Sequence, residues 1–170
     1  MTTLVSLLAR AMLRLRSATW NLVYRDYRRR YGVNREFRFN GAGIQLYGGG
    51  RIELGERSYI GELSTIQACA GCVVRVGRQC RISHNVRIYT ETSSADANFL
   101  AGQDLPVRAD VSIGDGVWIG ANVYVGPGID IGSNAVVGAN SVVTRNVPPD
   151  EIWGGVPARL IRRKAPHDAD

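Results

Sequence analysis

Residues 113–148 repeat every six residues without interruption, and this period constrains the fold more than any other feature of the chain. The repeat is marked by the β-branched residues Ile113, Ile119, Val125, Ile131, Val137 and Val143. Four residues after each of them stands a second residue that is small or aliphatic: Val117, Val123, Ile129, Ala135, Ser141 and Val147. The period matches neither an α-helix, at about 3.6 residues, nor an ordinary strand, at about 2. It predicts a triangular β-solenoid in which each hexad is a short strand with a turn and the aliphatic residues stack inward.

The same pattern extends towards the N-terminus with two interruptions. It is present at Leu54, Ile60 and Ile66, and it resumes four residues late at Val76, Ile82 and Ile88, which indicates a short insertion at 68–71. It breaks again after Ile88 and returns at Val107, leaving an excursion loop at 91–106. A long excursion from a rigid repeat is usually functional or disordered. We therefore predict an all-β fold, a solenoid of four to five coils over residues 40–148.

Composition agrees with one globular domain and two extensions. The chain has 170 residues, of which 45% are hydrophobic and 20 are glycine. The net charge is +6, but residues 1–40 alone carry nine arginines against Asp26 and Glu36, a balance of +7. We predict an N-terminal helical extension at 1–39 and a basic C-terminal arm at 149–170, with a short helix or arm at 158–164. No secretory signal or membrane-length apolar run is evident, so we expect a cytoplasmic protein.

The N-terminal extension has the pattern of an amphipathic helix. Apolar residues alternate at spacings of three and four, at Leu4, Leu8, Ala11, Leu15, Ala18 and Leu22, and most arginines lie off this stripe. The stripe would pack on the solenoid or on a neighbouring subunit, or it would bind an anionic membrane surface. We do not expect nucleic-acid binding, because no recognised motif accompanies the charge.

Few side chains are candidates for chemistry. His84 lies two residues after the inward Ile82, hence on an outward corner, where an imidazole can take a proton from a hydroxyl or amine near neutral pH. A hydrogen-bonded corner histidine without a catalytic role is the alternative. Asn85 is a candidate to orient the ring. His167 lies in the C-terminal tail and is most simply a solvated residue.

Three cysteines could in principle join His84 in a zinc site. Cys69, Cys72 and Cys80 precede His84 with C-x2-C-x7-C-x3-H spacing. The repeat argues against this site, because Cys80 takes an inward position whereas His84 lies at a corner. Free thiols in a reducing compartment are the better interpretation, and we expect no metal.

Several segments resemble one family. The stretch from 113 to 162 is similar to the C-terminal half of bacterial hexapeptide-repeat (left-handed β-helix) acyltransferases, especially the galactoside and maltose O-acetyltransferases. The matching segments are residues 116–121, 137–145, 147–149 and the closing segment 153–162. The resemblance implies a left-handed coil, homotrimers, and acetyl-coenzyme A bound in grooves between adjacent solenoids. The implied coenzyme-binding residues are Trp118, Gly120, Ala121, Ala139, Thr144, Arg145, Arg159 and Arg162.

One departure concerns the base. In the galactoside and maltose branch the catalytic histidine falls in the excursion loop, but residues 90–96 contain none. The segment 82–86, with His84, instead resembles the one that holds the base in hexapeptide lipid A acyltransferases and some sugar N-acetyltransferases. We therefore expect His84 to be the base.

The resemblance predicts O-acetylation of a sugar in a bacterial surface polysaccharide or its precursor. N-acetylation of an amino-sugar nucleotide is the alternative within the enzyme class, and a non-catalytic scaffold is the alternative outside it. Candidate acceptor-binding residues are Glu62, Tyr89, Asp96 and Asn98.

Overall fold

The computed structural model describes residues 2–165, which form one long helix followed by a triangular β-solenoid. Helix α1 spans Thr2–Tyr31. Face A of the solenoid contains β1 (Arg38–Asn40), β4 (Tyr59–Gly61), β7 (Arg81–Ile82), β12 (Trp118–Ile119), β15 (Val136–Val137), β17 (Glu151–Gly154) and β18 (Arg159–Arg163). Face B contains β2 (Gln45–Tyr47), β5 (Thr65–Gln67), β8 (Arg87–Tyr89), β13 (Tyr124–Val125) and β16 (Val142–Val143). Face C contains β3 (Arg51–Leu54), β6 (Val73–Val76), β11 (Val111–Ile113) and β14 (Asp130–Ile131).

Parallel pairing stacks equivalent residues of successive coils, as the period predicts. On face A, Ile60 pairs with Ile82, and Ile119 pairs with both Ile82 and Val137. These four side chains are completely buried, and so are most of their counterparts on the other faces. The core therefore consists of stacks of aliphatic side chains along the solenoid axis, and the side chains of one coil are buried because the next coil covers them.

The first coil of the solenoid largely lacks the hexad repeat, although the predicted range of 40–148 includes most of it. Strands β1, β2 and β3 form a first coil whose inward residues Phe39, Leu46 and Leu54 lie seven and eight residues apart. Glycines at 41, 43 and 48–50 fill the corners of this coil. The hexad period is therefore kept in this coil only at Leu54. With it, the solenoid has about five turns.

The predicted return of the repeat at Val107 is wrong. Val107 is 45% exposed and lies in β10 (Pro106–Arg108), which pairs antiparallel with β9 (Glu91–Ser93). The excursion is thus a β-hairpin outside the solenoid, with a 3-10 turn at Phe99–Ala101. The solenoid resumes at Val111, which is buried and pairs with Val74. Val107 lies six residues before Ile113 and therefore matches the period by position alone.

Of the helix or arm expected at 158–164, the helix is wrong, because residues Arg159–Arg163 form strand β18. Strand β18 pairs antiparallel with β17, so the chain turns back and completes face A. Arg163 and Glu151 form an ion pair at 3.3 Å across this hairpin. The edge of β17 would otherwise present unpaired N–H and C=O groups, and β18 provides hydrogen-bond partners for them. This pairing favours a strand over a short helix.

Helix α1 packs on the N-terminal end of the solenoid through its second half only. Tyr24 is buried, its ring stacks on Phe39 with centroids 4.5 Å apart, and its hydroxyl donates to the carbonyl of Gly41 at 2.8 Å. The leucine stripe predicted from the sequence lies on the opposite side of the helix: Leu15 and Leu22 are 67% and 62% exposed. The stripe therefore does not pack on its own solenoid. No helix in residues 2–165 is long and apolar enough to cross a membrane.

Candidate active site

His84 lies at the corner that joins face A to face B, between β7 and β8, and its side chain is exposed. Equivalent corner positions in successive coils form a column of five residues: Gly41, Glu62, His84, Ala121 and Ala139. The coils stack closely here, because a Cβ added to Gly61 would lie 2.8 Å from the backbone nitrogen of His84. The backbone at His84 is consequently packed against the preceding coil, which contains Gly61.

Asparagines fix the backbone on the other side of this corner. Asn85, Asn122 and Asn140 all have φ near +60°, a left-handed conformation that asparagine tolerates well. The amide of Asn85 donates to Oδ1 of Asn122 at 2.8 Å, and that of Asn122 donates to Oδ1 of Asn140 at 2.9 Å. Asn85 makes no hydrogen bond to His84 among the described residues. Its observed contacts support the corner rather than the predicted orientation of the imidazole.

In the two coils that follow the coil of His84, the column consists of the small residues Ala121 and Ala139. A Cβ on Gly120 would lie 2.5 Å from the backbone nitrogen of Ala139, so Gly120 permits close stacking of coils. The N–H of Gly120 donates to Val137 and is not available to an oxyanion. The N–H of Ala121, in contrast, has no acceptor in the part of the chain described. Of these two backbone N–H groups, only that of Ala121 is free to bind a developing oxyanion.

In the coil before that of His84, the column contains Glu62, one of the residues predicted to bind the acceptor substrate. Its carboxylate forms an ion pair with Arg16 of α1, which joins the helix to this corner. The neighbouring Leu63 has φ of 62° and is exposed, where the lower coils have asparagine. Glu62 therefore lies one coil from His84, with its carboxylate paired to Arg16.

The other predicted acceptor residues lie elsewhere on the chain. The hairpin β9–β10 leaves the solenoid at the corner between faces B and C, at the far end of β8 from His84. Tyr89 is on face B, with its ring 5.8 Å from that of Tyr124. Asp96 and Asn98 are within the hairpin, where Oδ1 of Asn98 accepts from the N–H of Ala101. Within one chain, these residues and His84 occupy opposite ends of face B.

The predicted coenzyme-binding residues are divided in the same way. Ala121 and Ala139 are on the column of His84, whereas Thr144 and Arg145 are at the corner between faces B and C. Arg159 and Arg162 belong to β18, and Arg159 pairs with Gly154 close to the His84 column. Trp118 is on the outer surface of face A and is 52% exposed.

The cysteines do not approach His84. Cys69 and Cys72 lie at the corner between faces B and C, and Cys80 lies at the corner between faces C and A, so the Cys3His alternative is excluded by position. All three thiols are buried. Burial, with the Cys69 thiol beside it, raises the pKa of Cys72 to about 11. The described residues include no group of three or more His, Cys, Asp or Glu side chains placed to hold a metal ion. His167 lies outside the described residues.

Sequence reasoning missed the residue that ties the His84 corner to the coil before it. Ser64 is completely buried; its hydroxyl donates to the carbonyl of Ser83 at 3.1 Å and accepts from the N–H of Val86 at 3.0 Å. Ser58 makes the same pair of bonds at another corner. The available signal was a serine at a hexad position where most coils have an aliphatic residue.

Comparison with known proteins identifies the solenoid. The family described as "Bacterial transferase hexapeptide (six repeats)" matches residues 110–145. A hexapeptide-repeat acetyltransferase from Vibrio cholerae O1 biovar eltor, solved with acetyl-coenzyme A, is 28% identical over 84% of this chain and 76% of its own, with a TM-score of 0.69. No curated protein sequence matches significantly.

Two further solved structures belong to the branch that the sequence resembles. A maltose O-acetyltransferase from Clostridium difficile 630 is 32% identical over 78% of this chain and 72% of its own, with a TM-score of 0.50. A galactoside acetyltransferase solved with coenzyme A is 27% identical over 71% of this chain and 65% of its own, with a TM-score of 0.52. The predicted left-handed β-helix is the fold of this family. The chain therefore belongs to the bacterial hexapeptide-repeat transferases, and it is an acyltransferase.

Proposed function

We propose that the enzyme transfers an acetyl group from acetyl-coenzyme A to a hydroxyl of a sugar, in a bacterial surface polysaccharide or its precursor, with His84 as the base. The column at the corner of faces A and B carries this proposal. Ala139 and Ala121 provide a narrow track of small side chains, and His84 stands in the next coil along the same track. A pantetheine arm on this track would bring its thioester to the imidazole. The complexes of the Vibrio acetyltransferase with acetyl-coenzyme A and of the galactoside enzyme with coenzyme A support this donor.

The reaction follows from these groups. The imidazole of His84 takes the proton of the acceptor hydroxyl while its oxygen attacks the thioester carbonyl. The carbonyl oxygen becomes an oxyanion, which the N–H of Ala121 is free to bind. When the intermediate collapses, the carbon–sulfur bond breaks and the imidazolium returns its proton to the departing thiolate. The products are the acetyl ester and coenzyme A.

A homotrimer would complete the site. Thr144 and Arg145 lie at a different edge of the prism from Ala121 and Ala139, so one coenzyme can contact both sets only where two chains bring these edges together. The same arrangement would place the hairpin of one chain, with Asp96, over the His84 corner of its neighbour. The division of the predicted site between two edges therefore supports an active site between subunits.

We further propose that the enzyme works in the cytoplasm at the inner membrane surface. Residues 3–12 of α1 are exposed on all sides, and the leucine stripe faces away from the solenoid. Seven arginines and a single acidic residue, Asp26, give this helix the charge that anionic lipid attracts. Such a surface would bring the enzyme to lipid-carried acceptors. Packing of the stripe between copies is the alternative.

The variant His84→Ala tests the mechanism. We expect turnover to fall by roughly 10²–10⁴-fold, because the base is lost, with the dissociation constant of coenzyme A unchanged by calorimetry. Release of coenzyme A is followed with matched sugars that offer either a hydroxyl or an amine. Near-full turnover on the hydroxyl sugar would show that His84 is not the base. A preference for the amine sugar would favour N-acetylation.

A further inference from the structure

Face A carries a file of alternating cationic and aromatic side chains on its outer surface. Arg38 pairs in register with Tyr59, Tyr59 with Arg81, and Arg81 with Trp118. Strands in a sheet are about 4.8 Å apart, so the two arginines are separated by about 10 Å with an aromatic ring between them. The file therefore presents two cations and two rings in one line along the solenoid axis.

Two grooves lie along this file and meet at Arg38 and Tyr59. One, of about 540 Å³, is on face A itself, and the other, of about 710 Å³, is between face A and helix α1. Their linings contain no aspartate or glutamate and include six cationic residues: Arg25, Arg28, Arg38, Arg57, Arg81 and Lys164. The surface is thus a continuous positive groove that contains aromatic rings.

Two arginines of the file are not paired with carboxylates as Arg75 is on face C, although Arg57 in the same groove pairs with Glu36 at 3.4 Å. On face C, Arg75 lies 3.3 Å from Glu53 and 3.4 Å from Asp110, so its charge has two carboxylate partners. Arg38 and Arg81 have no carboxylate within 4 Å among residues 2–165. Arginines without partners on a grooved surface are available to bind an anion.

The file runs parallel to the column that carries the candidate base, His84. Arg81 and His84 belong to the same coil and are three residues apart, and Trp118 is in the same coil as Ala121. A ligand along the file would therefore lie beside this column and pass within three residues of His84. This is the position that an acceptor needs.

We propose that the groove on face A binds an acidic oligosaccharide, the acceptor of the reaction, with its carboxylates on Arg38 and Arg81 and its sugar rings against Tyr59 and Trp118. Guanidinium groups bind carboxylates through paired charge-assisted hydrogen bonds, whereas a neutral sugar would leave both arginines unused. The assignment rests on the proposed function, because it names the substrate class of that site.

The test is a calorimetric titration with oligogalacturonate and with the same oligomer fully methyl-esterified, both without acetyl-coenzyme A. We expect the acidic form to bind, and the ester to bind roughly a hundredfold more weakly, because it lacks the charge-assisted bonds to both arginines. Arg38→Gln and Arg81→Gln should each weaken binding of the acidic form roughly tenfold. Arg75→Gln, the matched change on face C, should have no effect.

Three results would overturn the proposal. The first is that the acidic form does not bind at low salt, and the second is that Arg75→Gln loses as much affinity as the face A variants. The third is that Arg38→Gln or Arg81→Gln forms a smaller assembly in solution and still binds the oligomer, which would make face A a contact between copies. Acetyl transfer is scored separately by release of coenzyme A. Binding without transfer would therefore count against the proposed function and not against the groove.

Discussion

The buried serine behind His84 allows a structural contact to be separated from a catalytic one. In Ser64→Ala the N–H of Val86 and the carbonyl of Ser83 lose their shared hydroxyl partner. Each buried group left unsatisfied costs about 1–3 kcal/mol, so the free energy of unfolding should fall by about 2–4 kcal/mol. For a chain of this length that corresponds to a decrease in melting temperature of roughly 5–15 °C.

Ser58→Ala is the matched control. Ser58 is also completely buried and makes the same two bonds, to the carbonyl of Gly77 and from the N–H of Cys80, each at 2.8 Å, but at a corner away from His84. We expect the two variants to lose similar stability, because they lose the same bonds. Only Ser64→Ala should lose turnover, by roughly tenfold, because a small displacement of a catalytic group is costly.

The assay measures kcat by release of coenzyme A at a temperature where both variants remain folded by circular dichroism. Calorimetry with coenzyme A provides a second measurement, and its dissociation constant should be unchanged in both variants. Equal kcat values for Ser58→Ala and Ser64→Ala would refute the idea that the His84 corner is part of the active site. A melting temperature within a degree of the parent in both would refute the hydrogen-bond reasoning.

Two further predictions concern the thiols and the helix. Because burial raises the pKa of Cys72 from 9.0 to about 11, its contribution to stability is complete below pH 9 and is lost as the pH rises towards 11. Iodoacetamide at pH 9 should label Cys72 slowly in the native enzyme and rapidly in guanidinium, and equal rates would contradict this. Deleting residues 3–12 should leave the melting temperature unchanged, because none of them is buried, but should weaken binding to anionic phosphatidylglycerol vesicles, because half of the leucine stripe is removed. A smaller oligomer by mass than that of the parent would instead show that the stripe packs between copies.

The sequence predicted the solenoid wherever the hexad is regular, because a file of inward residues fixes both the strand and its register. In the first coil only Leu54 keeps the period; Phe39 and Leu46 lie off it, although their side chains stack as the others do. The sequence failed at Val107, which keeps the period but lies outside the core. Position in a repeat predicts burial only where the backbone continues to coil.

The site shows the same limit. The period placed His84 on an outward corner, which the structure confirms, since corners follow from the hexad. It could not show that Arg38, Tyr59, Arg81 and Trp118 form one line. These residues are 21, 22 and 37 positions apart in the sequence, because an insertion and the hairpin separate the coils by unequal lengths. Only the pairing of strands brings them into register.

The two ends of the solenoid determine how long the molecule is. Nothing in a hexad specifies the last coil, and an uncovered coil exposes strand edges and an apolar cross-section to another copy. Helix α1 covers one end through Tyr24, and β18 turns back along the last strand of face A at the other. These two elements act as terminators of a repeat that would otherwise stack end to end. The number of coils is therefore set by α1 and β18 and not by the hexad repeat itself.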